Sequence, residues 1–291
     1  MKQKVILVTG ASSGIGYDVA LRLAKEGHKV YAAARRVEKM EPLREVGVVT
    51  VRLDLTDDTS MQACVQTVLD AEGRMDVLVN NAGYGYFGAV ENVTMEEARR
   101  QLEVNVFGLA RMSQLVLPAM RRQGSGRIVN TSSIAGKMVL QFGGWYHVAK
   151  YSVEALSDAM RMELKPFGID VVLIEPGGVK TEWGLIAARH LRESSASTPY
   201  ESDGSRFADM MQYGYESNFL SKPHVITRAI SRAVNSRRPR VRYRIGRGSH
   251  LLVALHAFLP ARCWDNMMRM VMKIKINQDD VQRKDNSDTQ G

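Results

Sequence analysis

The sequence predicts a single doubly wound α/β domain, a parallel sheet with helices on both faces. Three observations carry this. Short runs rich in β-branched residues recur through the first 180 residues, separated by segments of helical period. The runs are almost continuously apolar, as strands covered on both faces are, rather than alternating. A glycine-rich loop, VTGASSGIG at 8–16, lies between the first run and the first helical segment.

Six runs read as strands in turn: KVILVT, HKVYAAA, VVTVRLD, MDVLVNN, GRIVNTS and GIDVVLIEP. Between the first two, IGYDVALRLAKEG puts Ile15, Val19, Ala20, Leu23 and Ala24 on one helical face. A sheet of this kind binds its ligand at the carboxyl ends of the strands. After Thr181 the periodicity lapses. Residues 182–222 contain the polar stretch SSASTPYESDGS and read as a turn-rich lid over a substrate pocket. The lid carries Trp183, Leu185, Ile186, Tyr200, Phe207, Met210, Met211, Tyr213, Tyr215, Phe219 and Leu220. These side chains suit an apolar substrate, or they close the lid on its own domain. A short helix, PHVITRAISRAV, and a last strand, RVRYRIG, complete a domain at 1–248. Residues 249–276 read as a hydrophobic and basic helical extension, and 277–291 as a disordered tail.

With 45% hydrophobic and 24% charged residues, the 291-residue chain can bury a full core. No run reaches the roughly 18 apolar residues of a membrane span. The opening MKQKVILVTG leads into the glycine loop rather than to a cleavage site, so a cytoplasmic location is expected. Cys64 and Cys263 are far apart, which fits a reducing compartment, and no cluster of His, Cys and Asp suggests a metal. The net charge of +9 is concentrated at one end: from Lys222 to Lys275 thirteen Lys/Arg face one acid, Asp265. Within this end RRPRVRYRIGR has the composition of a nucleic-acid footprint. The simpler reading is the exposed face of an edge strand, and no nucleic-acid partner is expected. Further on, Trp264, Met267, Met268, Val271 and Met272 recur at helical spacing, with Arg269 and Lys273 opposite. That pattern reads either as an interfacial helix making peripheral membrane contact through 250–276, or as a helix packed over the pocket or at a subunit contact.

The glycine loop has the spacing G-x-x-x-G-x-G. Gly10 permits a tight turn, Gly14 and Gly16 let backbone approach a pyrophosphate, and Ser12, Ser13 and Ile15 complete the helix start that faces the anion. The second strand ends at Ala34, followed by Arg35 and Arg36, where a ribose-binding acid is usual. An arginine there pairs with a 2′-phosphate, so NADP(H) is expected over NAD(H). Asp54, ending the third strand, is placed to bind the adenine amino group. Tyr146 and Lys150, four residues apart, share a helix face; alone this pair is a weak signal.

Together the motifs say more. TGASSGIG at 9–16, NNAG at 80–83, NVFG at 105–108, Ser133, Tyr146-x-x-x-Lys150 and PGGVKT at 176–181 follow in order. In these the chain resembles the short-chain dehydrogenases/reductases over roughly residues 4–182. Within that family it resembles the branch of hydroxysteroid dehydrogenases and acyl-dihydroxyacetone-phosphate reductases. The resemblance implies a Rossmann-type fold and NADP(H)-dependent interconversion of a carbonyl and an alcohol. It implies Tyr146 as acid and base, its phenol pulled below the ordinary pKa of about 10 by the Lys150 ammonium. Lys150 would also bond the nicotinamide ribose. By the same resemblance Ser133 polarises the carbonyl and Asn105 helps hold a water in a proton relay. Asn81 and Gly83 border the cofactor, and Val179 and Thr181 meet its carboxamide. His147 falls on another helix face and reads as structural. The expected substrate is a steroid, retinoid or acyl-lipid carbonyl or alcohol; a small polar carbonyl, or a non-catalytic nucleotide-binding scaffold, is the alternative. A homo-oligomer, dimer or tetramer, is expected from the family.

Overall fold

Alternate residues of each strand enter opposite cores, and this decides the architecture. The computed structural model describes residues 2–217 and 220–273. Its strands are β1 (Val5–Thr9), β2 (Lys29–Ala34), β3 (Val49–Arg52), β4 (Val77–Asn80), β5 (Gly126–Thr131), β6 (Ile169–Pro176) and β7 (Arg242–Ile245). Helices α1 (Gly14–Lys25), α2 (Asp58–Glu72), α3 (Met95–Leu102), α4 (Gly108–Gln123) and α5 (Gly144–Leu164) connect the first six strands, with only a 3-10 segment, Val37–Val46, between β2 and β3 and both α3 and α4 between β4 and β5. Helices α6 (Glu182–Ser195), α7 (Glu201–Glu216) and α8 (Pro223–Asn235) precede β7, and α9 (Ser249–Phe258) and α10 (Ala261–Lys273) follow it.

Ile6 and Val8 of β1, Val30 and Ala32 of β2 and Val77 and Val79 of β4 pack with Val19 and Leu23 of α1 and Ile226 and Ile230 of α8. Leu7, Tyr31 and Leu78, one residue out of step, pack with Val68 of α2 and Met112, Val116 and Met120 of α4. Period two with both faces apolar is what two helical layers require. The strand order is β3-β2-β1-β4-β5-β6-β7, every pair parallel. β1 lies between β2 and β4, so successive connections depart to opposite sides there. The crevice this leaves at the carboxyl ends is where such sheets bind ligands.

The region after β6 departs from expectation. Residues 182–216 are not a turn-rich loop but two helices, α6 and α7, packed on each other. Small polar residues that read as turn signals are instead close-packing residues. A Cβ on Gly204 would lie 2.3 Å from Ser195 Oγ, so the helices touch where neither has bulk. Phe219 of the expected lid and the expected tail at 277–291 lie outside the described residues.

The extension is also two helices, divided at Pro260. Trp264 is only 5% exposed, among Ile134, Met138 and Val253. Its indole N–H donates to Val139 O at 3.0 Å. Trp264, Met267 and Met268 of α10 therefore pack on the domain, while Val271 stays exposed. No helix among the described residues is long and apolar enough to cross a membrane.

Strand β7 supplies a further correction. Its arginines do not form an exposed charged face. Arg242 pairs with Glu154 at 3.3 Å and Glu175 at 3.1 Å, and with Asp158 at 2.5 Å, while Arg244 pairs with Glu175 at 2.8 Å. Glu175 is wholly buried, so both guanidiniums answer a charge that water does not reach. Removing one member of such a group leaves the others unpaired. Glu175→Ala should lower the unfolding free energy by about 3 kcal/mol in urea titration. A loss below about 1 kcal/mol would show that the arginines hold the edge strand without it.

Candidate active site

The carboxyl ends of the strands open on a cavity of about 1580 Å³. Gly10, Ser12, Ser13, Gly14 and Ile15 line it from the loop after β1, Arg35 and Arg36 from beyond β2, and Asp54 from beyond β3. Asn81 and Gly83 line it after β4, Ser133 after β5, Tyr146 and Lys150 on α5, and Val179 and Thr181 after β6. Of the expected residues, Gly16 and Asn105 stand behind the wall.

Gly16 packs rather than cradles. A Cβ there would lie 2.3 Å from Gly10 O and 2.5 Å from Asn81 Nδ2, so only glycine lets the helix start close onto the loop. Gly10 has φ +70° and would meet Ala82 Cα at 2.6 Å, which demands glycine twice over. Ser13, at the N-terminus of α1, makes no side-chain cap, so the first amides of that helix remain available to an anion. Arg36 Nη2 donates to Ser12 Oγ at 3.4 Å, drawing its guanidinium over the same loop. Partial burial pushes the Asp54 carboxyl up, but bonds from Thr56, with Arg35 and Arg100 nearby, hold it below its ordinary range. A dinucleotide fits these residues: uncapped amides for the pyrophosphate, two arginines beside the second strand and a carboxylate beyond the third.

On α5, Lys150 Nζ lies 5.7 Å from the centroid of the Tyr146 ring and donates to Thr131 O at 2.9 Å. Ser133 hydrogen-bonds the Tyr146 phenol. It also accepts from Ala135 N at 3.1 Å, which fixes its rotamer. Neighbouring Ser132 keeps its hydroxyl buried without a protein partner. Burial pushes the Tyr146 phenol up to about 12, against the pull of the Ser133 bond. Burial likewise pushes the Lys150 ammonium down to about 8, against the field of Glu154. The expected lowering of the phenol therefore does not occur in this state. The ammonium is itself desolvated and spends a hydrogen bond on Thr131.

Asn105 lies in a π-helical turn, Glu103–Phe107, between α3 and α4. Its Oδ1 accepts from Tyr84 N at 3.0 Å and its Nδ2 donates to Tyr84 O at 2.7 Å. The side chain thus clamps the loop after β4, which carries Gly83 against the Lys150 ammonium. His147 is likewise committed: its Nε2 accepts from Leu140 N at 3.0 Å and its Nδ1 meets Ala135 O at 2.9 Å. A backbone N–H can only donate, so Nδ1 carries the single ring proton. Burial lowers the pKa of this imidazole and keeps it neutral.

Sequence reading missed the aromatic box around the phenol. Tyr146 has Trp183 at 5.0 Å and Phe87 at 5.7 Å between ring centroids, and Phe207 lies 6.5 Å from Phe87. Trp183 and Phe207 fell within the expected lid, but Phe87 carried no signal, being one of three aromatics in the loop stretch GYGYFG at 83–88. Leu251, Leu252, Met268 and Val271 of the extension also line the cavity.

Known proteins resemble this chain in sequence and in fold. A family model described as short chain dehydrogenase matches residues 4–187. A 3-ketodihydrosphingosine reductase of Bacteroides thetaiotaomicron is 35% identical over 277 residues, covering 94% of this chain and 98% of that protein. A short-chain dehydrogenase from Streptomyces avermitilis has a similar structure, with TM-score 0.77 and 29% identity over 93% of this chain and 97% of that one. So does an alcohol dehydrogenase from the archaeon Thermococcus sibiricus complexed with 5-hydroxy-NADP, with TM-score 0.69 and 27% identity over 84% and 97% of the two chains.

Proposed function

The chain belongs to the short-chain dehydrogenase family, and we propose that it is an NADP(H)-dependent reductase of carbonyl groups on hydrophobic substrates. The observation that carries this reading is the partly buried Tyr146 phenol, hydrogen-bonded by Ser133, with the buried Lys150 ammonium 5.7 Å from its ring centroid and Trp183 and Phe87 around it. A nicotinamide cofactor, when bound, supplies the hydride. Tyr146, protonated throughout the neutral range, donates its proton to the carbonyl oxygen as negative charge develops there. Ser133 Oγ, oriented by Ala135 N, holds that oxygen against the phenol. Lys150 stabilises the phenolate left behind. Asn105 would serve a relay water with the N–H and the lone pair that its bonds to Tyr84 leave over.

Arg35 and Arg36 are the reason to prefer the phosphorylated cofactor: they stand exposed on the cavity rim where an acid would repel a 2′-phosphate. For substrate class the support is the box of Phe87, Trp183 and Phe207 with Met210 and Met211 beside it. A relative named for reducing 3-ketodihydrosphingosine supports the same class. The test is oxidation of NADPH by apolar ketones. Tyr146→Phe should cut kcat about a thousandfold while NADPH binding persists; an active variant would refute the mechanism. Replacing Arg35 and Arg36 together by alanine should weaken NADPH about ten- to a hundredfold and NADH little. Equal losses for the two cofactors would refute the phosphate contact.

A membrane reading survives in altered form. With Trp264 turned inward, the candidate surface is α9, where Phe258 is 87% and Leu251 64% exposed, and Leu251 also lines the cavity. Exposed Arg262 and Arg269 flank it. We place this apolar rim against an anionic bilayer, from which a lipidic substrate reaches the cavity. Leu251→Asp with Phe258→Asp should abolish flotation with phosphatidylserine vesicles, and flotation equal to the unaltered protein would remove the membrane from the account.

A further inference from the structure

A second hollow, of about 540 Å³, lies at the open edge of the sheet and shares no lining residue with the catalytic cavity. β7 is the last strand and pairs only with β6, so its outer edge meets no further strand. Helix α8 contributes Arg228 and Arg232, one helical turn apart. The approach to β7 and the strand itself contribute Arg240, Arg242 and Arg244, and His250 at the start of α9 completes the cationic lining.

These guanidiniums fall into two groups. Arg242 and Arg244 are committed, since between them they pair with Glu154, Asp158 and the wholly buried Glu175. Arg228, Arg232 and Arg240 are exposed and have no ion-pair partner among the described residues. Arg232 lies in the last turn of α8, where a cation meets the carbonyl end of the helix favourably. Arg228 and Arg240 have no such use. Like charges at i and i+4 also destabilise a helix, and Arg228 with Arg232 is such a pair. Glu175 is the one carboxylate among the lining residues, and Arg242 and Arg244 already share it.

The residue type is selective as well. Between Lys222 and Lys273 the chain has ten arginines and no lysine. A solvated face is served equally by lysine, a strongly hydrated point charge. Arginine is the weakly hydrated fork that takes a phosphoryl group by two parallel hydrogen bonds. A second copy of this chain set against the same edge would bring two such clusters together, so self-association does not answer the charge.

We propose that this hollow binds a ligand bearing two or more phosphoryl groups, with Arg228 and Arg240 as its charged contacts. A single phosphate ion would fill only a small part of the volume. A free oligophosphate and a phosphorylated lipid headgroup share this chemistry. The lipid source is within reach, because His250 immediately precedes Leu251 of the apolar rim on α9.

Isothermal titration calorimetry of the full chain with tripolyphosphate is the test. The glycine loop after β1 also suits phosphate. Binding is therefore read as the difference between the unaltered protein and Arg228→Gln with Arg240→Gln, which leaves that loop intact. Both side chains are exposed and unpaired, so the variant should keep its melting temperature. It should weaken one binding event at least about tenfold. Arg228→Lys with Arg240→Lys keeps the charge, loses the fork and should recover only part of the affinity. Equal affinity in the unaltered protein and the glutamine variant would overturn the proposal. Full recovery with lysine would overturn it too, leaving a surface that is merely cationic. Hexaglutamate bound as tightly as tripolyphosphate, and lost in the glutamine variant, would overturn it in favour of an acidic peptide. Flotation assigns the source. Preference for phosphatidylinositol bisphosphate vesicles over phosphatidylserine vesicles of equal charge, lost in the glutamine variant, makes the ligand a lipid headgroup. Equal flotation on the two, with tripolyphosphate still bound, makes it a free phosphate compound.

Discussion

The site depends on burying an ammonium. Lys150 reaches through the wall of the cavity with one N–H spent on Thr131 O at 2.9 Å. Its charge is supported from behind by Glu154, one helical turn further along α5, itself paired with Lys137 at 2.9 Å. A buried lysine keeps its proton only where such partners face it. The partners come from different elements, so α5 has to lie against the end of β5 and β6 has to run beside it. The parallel order of the sheet provides this: every strand points its carboxyl end at the same cavity.

The ion-pair group at the sheet edge extends the same arrangement. Glu154 connects the catalytic helix to Arg242 on β7, and Arg242 and Arg244 answer Glu175, wholly buried in β6. Electrostatics at the cavity and stability at the edge therefore share residues. The loop after β4 shows the same economy of parts, since Asn105 holds it at Tyr84 and His190 at Tyr86, and it presents Gly83 to Lys150 and Phe87 to the box.

Much of this was legible in the sequence. The first six strands were readable because both faces of the sheet are covered, which leaves continuous apolar runs that a solvated sheet would not have. The cofactor and proton-transfer residues were readable because glycines, arginines and a tyrosine–lysine pair recur at spacings that chemistry requires. What failed were positions where one residue type serves two purposes. Ser195 and Gly204 read as turn formers but are contact points of two helices. For Trp264 the sequence left an interfacial helix and a packed helix both open, because amphipathicity does not say which apolar surface is met. The arginines of β7 alternate as an exposed edge would, and only the fold reveals their buried partner. His190 left no trace, because a stacked histidine on a helix looks in sequence like any other.

The central claim is that reduction needs Lys150 charged and Tyr146 protonated, both in a buried site. The most direct measurement is kcat/KM for an apolar ketone at saturating NADPH between pH 6 and 10. Tyr146 keeps its proton across that range, with its pKa near 12, whereas Lys150 loses its charge as the pH rises through about 8. The rate should therefore be level in acid and fall about tenfold per pH unit above that point. In Glu154→Gln the fall should begin at lower pH, because the lost carboxylate no longer supports the ammonium. A rate that rises with pH, or that stays level to pH 10 in both proteins, would contradict the account.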